Sequence, residues 1–208
     1  MKKVKAGYEI LTNLNKQEIL KSLEMAGRVC YKSEDRITDQ SSSDFVRMLI
    51  NRGHEAMIEH CVMTVKFACD RGVSHEIVRH RIASYGQEST RYCNYSKSKF
   101  GNQITVVEPC FWEKNTPQYI KWETACQNAE RAYFQLLEQG ASPQEARAVL
   151  PNSLKTEIIV TMNMRAWRHF FKLRTANAAH PSMREITRPL LAELKDRLPE
   201  IFDSIEVA

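Results

Sequence analysis

Residues 79–92 of the chain read Arg-His-Arg-Ile-Ala-Ser-Tyr-Gly-Gln-Glu-Ser-Thr-Arg-Tyr, which places three arginines and a histidine among several hydroxyl side chains. Before this stretch, Val73, Ile77 and His80 fall at helical spacing. That spacing predicts a helix that closes at residues 79–81. A solvated basic helix end is the simpler interpretation of the same arginines, and it applies to most arginine-rich segments.

Gly86 interrupts the stretch where the predicted helix would have to end. Residues 87–91 then read as a loop that carries backbone N–H groups, hydroxyls and a guanidinium. These donors are suited to holding a phosphate. The alternative is an ordinary polar turn.

The order of residues in this stretch resembles the signature of the flavin-dependent thymidylate synthases. The matching positions are Arg79, His80, Arg81, Ser84, Ser89, Arg91 and Tyr92. Seven positions at fixed spacing form a more specific motif than a short glycine pattern. The resemblance implies reductive methylation of dUMP to dTMP, with FAD as cofactor and NADPH and methylenetetrahydrofolate as co-substrates. It also implies a homotetramer whose site is shared between subunits.

Composition is that of an ordinary globular protein: 208 residues, 43% hydrophobic and 26% charged. The net charge of +5 suits a protein that handles anionic small molecules, and it is weak support for nucleic-acid binding. No apolar run is long enough to span a membrane, and the basic N-terminus lacks the apolar segment of a signal peptide. We therefore expect a cytoplasmic protein without nucleic-acid or membrane partners.

Six cysteines are present without Cys-x-x-Cys or zinc-finger spacing, so we expect reduced and mostly buried thiols. Residues 54–60 contain two histidines and two glutamates, but their spacing matches no zinc motif, and we expect no metal site. None of the cysteines is marked as a nucleophile. This agrees with the resemblance, since the family is understood to work without one.

The apolar pattern predicts alternating strands and helices in a single domain. Strands are predicted at 8–12, 62–68, 104–107 and 156–162. Helices are predicted at 16–29, 41–50, 118–139, 146–150, 163–174 and 182–198. The inner face of the helix at 118–139 is predicted to comprise Ile120, Trp122, Ala125, Ala129, Ala132, Tyr133, Leu136 and Leu137. The resemblance implies an α/β (α+β) fold, a mostly antiparallel sheet packed by long helices.

A second stretch, residues 163–174, also resembles the family, whose members carry Asn-x-Arg, a helix and then Leu-Arg. Asn163 and Arg174 fall on one face about three turns apart, so the helix could span a cofactor and its substrate. The alternative is a core helix with Trp167 and its aromatic neighbours packed inward and the arginines exposed.

The resemblance also assigns roles to individual residues. The flavin-binding positions are His54, Ala56, Glu59, Arg79, His80, Arg81, Gln87, Asn163, Met164, Arg165 and His169. The dUMP-binding positions are Glu76, Arg79, Gln87, Glu88, Ser89, Thr90, Arg91, Arg147 and Arg174. Arg174 is the catalytic position, because a guanidinium there would favour negative charge at uracil N3.

Two other functions fit the same residues less well. The nearer is a flavin enzyme of the same fold that methylates or hydroxymethylates another pyrimidine nucleotide. The farther is a basic nucleic-acid-binding module, against which the modest net charge and the lack of a basic tail both count.

Overall fold

Short strands alternate with helices along the chain, and the computed structural model describes residues 1–207. In that range the strands are β1 (Lys2–Val4), β2 (Gly7–Ile10), β3 (Val62–Asp70), β4 (Ser84–Gln87), β5 (Thr105–Val107) and β6 (Lys155–Asn163). The helices are α1 (Lys16–Tyr31), α2 (Ser41–Asn51), α3 (Arg71–Ile77), α4 (Pro117–Glu138), α5 (Pro143–Ala146), α6 (Met164–Arg174), α7 (Pro181–Arg197) and α8 (Pro199–Phe202). The fold is α/β with an antiparallel sheet packed by helices, which confirms the expected class.

Four of the strands form one sheet in the order β2-β3-β6-β4, and β1 pairs in parallel with β5. Along β3 every second side chain is buried, from Met63 to Cys69. Strand β6 repeats this alternation. A period of two is the pattern of a strand with one face on a core. The strands predicted at 62–68 and 156–162 are therefore confirmed.

The chain divides into two compact units, each made of several segments. The first unit comprises Met1–Gly7, Phe67–Arg79 and Tyr85–Ile159, and the second comprises Tyr8–Lys66, His80–Ser84 and residues 160–207. Strands β3 and β6 contribute residues to both. The expectation of a single domain stays a prediction.

In the first unit the core is built around α4. The buried residues of this helix are Tyr119, Cys126 and Tyr133, seven positions apart, which is close to two helical turns. The predicted inner face is wrong at Ile120, which is 52% exposed, and at Ala125. At the other predicted positions of this face the side chains are buried or half-buried, so the prediction is otherwise confirmed.

In the second unit the core is aromatic. Trp167, Phe170 and Phe171 of α6 are fully buried, and the Trp167 indole N–H donates to the Met63 carbonyl over 2.9 Å. Phe202 of α8 packs edge-on against Phe171, with ring centroids 5.9 Å apart. The core-helix interpretation of α6 is thus correct for its aromatic side. It is wrong in expecting all the arginines of this helix to be exposed, because Arg168 is buried.

The predicted structure of residues 79–92 needs correction. Helix α3 begins after Asp70, whose carboxylate accepts from the Val73 N–H over 2.7 Å, and it already ends at Ile77. Gly86 lies inside strand β4 and terminates no helix. Gln87 also belongs to β4, so the loop begins one residue later than predicted. The edge position of β4 beside β6 supplies backbone partners that local periodicity cannot reveal.

Two smaller expectations also change. Helix α7 begins at Pro181, one residue before the predicted start, and is capped by the His180 side chain, which accepts from the Ser182 N–H. All six cysteines are free, but Cys30 and Cys110 are exposed, and the expectation of mostly buried thiols holds fully only for Cys69 and Cys126. Among residues 1–207, no helix is both long and apolar enough to cross a membrane.

Candidate functional site

The signature residues are distributed over both units. Arg79 and the segment from Tyr85 to Tyr92 belong to the first unit, and residues 80–84 belong to the second. Each unit carries its own cluster of candidate site residues.

A cleft of about 430 Å³ in the second unit brings together five of the expected flavin-binding residues. Those five are Glu59, Arg81, Asn163, Arg165 and His169; Glu55, Ile82, Ala166 and Lys172 complete its lining. Cations therefore meet carboxylates in one concave surface. We call it the α6 cleft.

Helix α6 positions these side chains because β6 runs directly into it. The Asn163 side-chain oxygen accepts from the Ala166 N–H over 2.8 Å and caps the helix. Arg165, His169 and Lys172 are spaced by four and three residues, so they share one exposed helix face opposite the aromatic core. Met164 has a fully buried side chain, so only its backbone is available to a ligand in this unit.

Glu55 lies close to three cationic side chains of α6. Its carboxylate accepts from the Arg168 guanidinium over 3.0 Å, and it lies 4.0 Å from both Arg165 and Lys172. Glu59 accepts from Arg165 over 2.6 Å, and this hydrogen bond raises the pKa of the guanidinium. Sequence reasoning selected Glu59 and missed Glu55, whose only signal was its place in the acidic segment before β3.

The buried His80 ring holds Arg174. The Arg174 Nε donates to His80 Nε2 over 2.8 Å, and His80 is 6% exposed with its ring edge-on to Phe170. An accepting Nε2 requires a neutral imidazole with its proton on Nδ1. Burial, Arg174 and His169 lower the pKa of His80 to about 4, which keeps the ring neutral near pH 7. The Thr187 hydroxyl donates to the Arg174 carbonyl over 2.9 Å and fixes the end of α6.

Within the second unit, four expected flavin-binding residues lie outside the lining of the α6 cleft: His54, Ala56, His80 and Met164. His54 is exposed, and its Nδ1 shares a hydrogen bond with the Tyr31 hydroxyl over 3.2 Å. Ala56 is exposed in the 3-10 turn Glu55–His60. No sequence pattern singled out Tyr31.

The first unit carries the expected dUMP-binding loop. Thr90 is buried and accepts from Arg147 over 3.3 Å, and the Ser89 hydroxyl accepts from the Arg91 N–H over 3.3 Å. Arg91 and Arg147 are exposed, and neither forms an ion pair with an acidic side chain of residues 1–207. Arg147 precedes Leu150 in a 3-10 turn after the capping box of α5, not in the regular helix predicted at 146–150.

Gln87 and Glu88 are engaged within the protein. The Gln87 amide donates to Ser74 over 2.8 Å and to Thr156 over 3.3 Å. Glu88 accepts from the Tyr95 hydroxyl over 3.3 Å and from Lys155 over 3.5 Å. Burial and the nearby carboxylate raise the pKa of Tyr95.

These contacts fix the strand end from which the Ser89–Arg91 loop departs. Sequence reasoning missed Tyr95 and Lys155, which lie in unremarkable segments.

Glu76 and Arg79 bracket the turn that ends α3, where the Glu76 carbonyl accepts from the Arg79 N–H over 3.3 Å. Within residues 1–207, no group of three or more His, Cys, Asp or Glu side chains is arranged to hold a metal ion.

The fold and these clusters define an α/β protein with a concave cationic surface and an arginine-bearing loop, both suited to phosphorylated ligands. Residues 12–200 match the family model described as thymidylate synthase complementing protein. The chain belongs to this family, and it is an enzyme.

Three relatives illustrate the similarity, and each is named a flavin-dependent thymidylate synthase. The protein of Pyrococcus furiosus is 32% identical over 194 residues, covering 90% of this chain and 78% of the relative. That of Geobacter sulfurreducens is 33% identical, covering 87% and 79%. That of Corynebacterium aurimucosum is 31% identical, covering 96% and 84%.

Proposed function

We propose that this chain catalyses reductive methylation of dUMP to dTMP, with FAD as cofactor, methylenetetrahydrofolate as carbon donor and NADPH as reductant. Relatives named flavin-dependent thymidylate synthases support the reaction class. The observation that carries the proposal is the His80–Arg174 pair, in which a signature histidine orients the candidate catalytic guanidinium.

The α6 cleft is the proposed flavin site. Arg81, Arg165 and Lys172 supply positive charge in one cleft, which fits the diphosphate of FAD. Glu55 and Glu59 orient two of these cations, Arg165 and Lys172, before a ligand arrives, so less conformational entropy is lost on binding. When bound, the flavin would supply the hydride chemistry that no protein side chain provides.

The Ser89–Arg91 loop with Arg147 is the proposed site for the dUMP phosphate. A phosphate dianion requires several donors and positive charge. The loop offers the Ser89 and Thr90 hydroxyls beside two guanidinium groups that lack acidic partners in the described chain. This arrangement supports nucleotide binding through the phosphate.

Arg174 would act on the uracil ring. A cation near N3 and its carbonyl neighbours lowers the cost of negative charge there, and C5 then becomes a better nucleophile. Neutral His80 accepts from the Arg174 Nε and so orients the guanidinium. No enzyme nucleophile is required in this scheme.

We also propose a homotetramer with the site shared between subunits. Two large apolar side chains within the signature stretch are exposed, Ile82 at 88% and Tyr92 at 79%. Their exposure supports coverage of this surface by a ligand or by a neighbouring subunit. Light scattering of the purified protein should give four times the chain mass, and a monomer would contradict this assembly.

The absorption spectrum of the purified protein tests the cofactor directly. Bound oxidised flavin should give bands near about 370 and about 450 nm, as any oxidised flavin cofactor does. The protein should then form dTMP from dUMP only with both the folate and the reductant present. A colourless protein that also fails to bind added FAD would contradict the proposal.

A further inference from the structure

A second cationic cleft, of about 340 Å³, lies in the second unit between α1, α2 and the segment that joins them. Four cations line it, Arg28, Lys32, Arg36 and Arg52, against the single carboxylate of Asp35. Tyr31, Phe45 and Met48 add apolar surface. We call it the α1–α2 cleft. Its size falls within the range of small-molecule sites.

Most of this positive charge has no counter-charge in the protein. Lys32, Arg36 and Arg52 form no ion pair with any side chain of residues 1–207, whereas the fourth cation, Arg28, is paired with Glu24. Unpaired cations that converge on a concave surface repel one another and attract an anion. The cleft therefore calls for a ligand with more than one negative charge.

The position of Arg28 is built into the core of the second unit. Its Nε and Nη2 donate to the buried Glu24 over 3.1 and 2.9 Å, and its guanidinium lies 4.2 Å from the Phe45 ring centroid. A Cβ on Gly27 would come within 2.6 Å of the Phe45 ring, so glycine is what lets α2 approach α1 here. The floor of the cleft is thus rigid and partly aromatic.

The α1–α2 cleft is connected to the α6 cleft through one hydrogen bond. Tyr31 lines the α1–α2 cleft, and its hydroxyl meets His54 Nδ1 over 3.2 Å. The next residue, Glu55, lines the α6 cleft. Both clefts belong to the second unit, so a ligand whose ring system lies in the α6 cleft can extend a charged chain toward the α1–α2 cleft.

We propose that the α1–α2 cleft binds the oligocarboxylate tail of the folate co-substrate, that is, a chain of γ-linked glutamates. This inference rests on the proposed function for the identity of the co-substrate. The cations receive successive carboxylates, and Tyr31 and Phe45 contact the methylene groups of the chain. The site selects folates by tail length and leaves the reacting ring system to the α6 cleft.

Binding measured without turnover tests the inference. Calorimetry on the flavin-loaded enzyme compares tetrahydrofolate carrying one glutamate with the form carrying four. We expect the tetraglutamate to bind about tenfold more tightly, because each solvent-screened ion pair raises the affinity by up to a few fold. The preference should shrink as salt rises.

Matched variants show whether the cations of the α1–α2 cleft cause the preference for the longer tail. The double variant Arg36→Gln/Arg52→Gln should reduce the tail preference to about twofold, since two of the unpaired cations are removed. The control Lys21→Gln removes an exposed cation of α1 outside the cleft and should keep the full preference. Circular dichroism of each variant verifies that it folds.

Three results would overturn the inference. Equal affinity of the wild type for the two folates excludes tail binding, and an undiminished preference in the double variant places the tail elsewhere. If sodium tripolyphosphate binds the wild type but not the double variant, and the wild type shows no preference for the tetraglutamate, the cleft is a phosphate site. An enzyme that binds both folates but forms no dTMP refutes the proposed function and leaves the tail measurement interpretable.

Discussion

Asn163 has two assignments that can be separated, a structural one seen in the fold and a flavin-binding one that is proposed. Its side-chain oxygen accepts from the Ala166 N–H over 2.8 Å and caps α6. Replacing an asparagine cap by alanine costs about 1 kcal/mol of folding free energy. For a chain of this length that loss lowers the melting temperature by roughly 2–4 °C.

Three variants separate the roles. Asn163→Ala loses the cap, whereas Asn163→Ser and Asn163→Asp keep an oxygen that can accept the same N–H. Urea unfolding of the flavin-free protein, followed by circular dichroism, should therefore show a loss only for alanine. Removing the flavin matters because a bound ligand would add its own stabilisation.

The aspartate variant tests the flavin assignment. It places a carboxylate in the α6 cleft beside Arg165, where it would repel the diphosphate and neutralise one of the cations. We expect stability near wild type and FAD affinity reduced at least tenfold by fluorescence titration, since one added like charge commonly costs more than 1.4 kcal/mol in a partly buried site. Serine and alanine variants of equal stability would refute the cap. Unchanged FAD affinity in Asn163→Asp would remove Asn163 from the flavin site.

Three further variants test the remaining assignments. His80→Gln should make the folding free energy less sensitive to acid. The folded pKa of His80, about 4, lies below the unfolded value of about 6.5, so the wild type loses stability as pH falls through that window. Urea midpoints at pH 7 and pH 5 should therefore differ less in the variant than in the wild type. Arg174→Ala should lower kcat on the order of 10²–10³ with flavin content unchanged, and Arg174→Lys should restore only part of it; loss of FAD would contradict the catalytic role. Arg91→Ala should weaken dUMP far more than FAD in calorimetry, and unchanged dUMP affinity would place the phosphate elsewhere.

Much of the secondary structure could be predicted from local patterns. The helix at 16–29, the helix at 118–139 and the strands at 62–68 and 156–162 all appear, because apolar periodicity and caps act within a few residues of one another. The motif in residues 79–92 also pointed to a family that the comparisons establish.

Local patterns failed where a distant segment supplied the decisive partner. Gly86 lies in a strand because β6 offers it a neighbour about 70 residues away in the chain. The inner face of helix α4 was wrong at Ile120 and Ala125 for the same kind of reason, since the core that the helix meets comes from other parts of the first unit.

The candidate site shows the same division between sequence and tertiary structure. The chain's residue types and spacing selected His80 and Arg174 as separate candidates. Their hydrogen bond joins positions 94 residues apart, and the burial that keeps His80 neutral comes from the packing of α6. Glu55 likewise gained its role only when folding brought Arg168 to it. Sequence by itself determined which groups the chain carries and where its helices and strands form, because those depend on near neighbours. Tertiary structure alone decided which groups meet and which are charged, because both depend on contacts and burial that distant segments create.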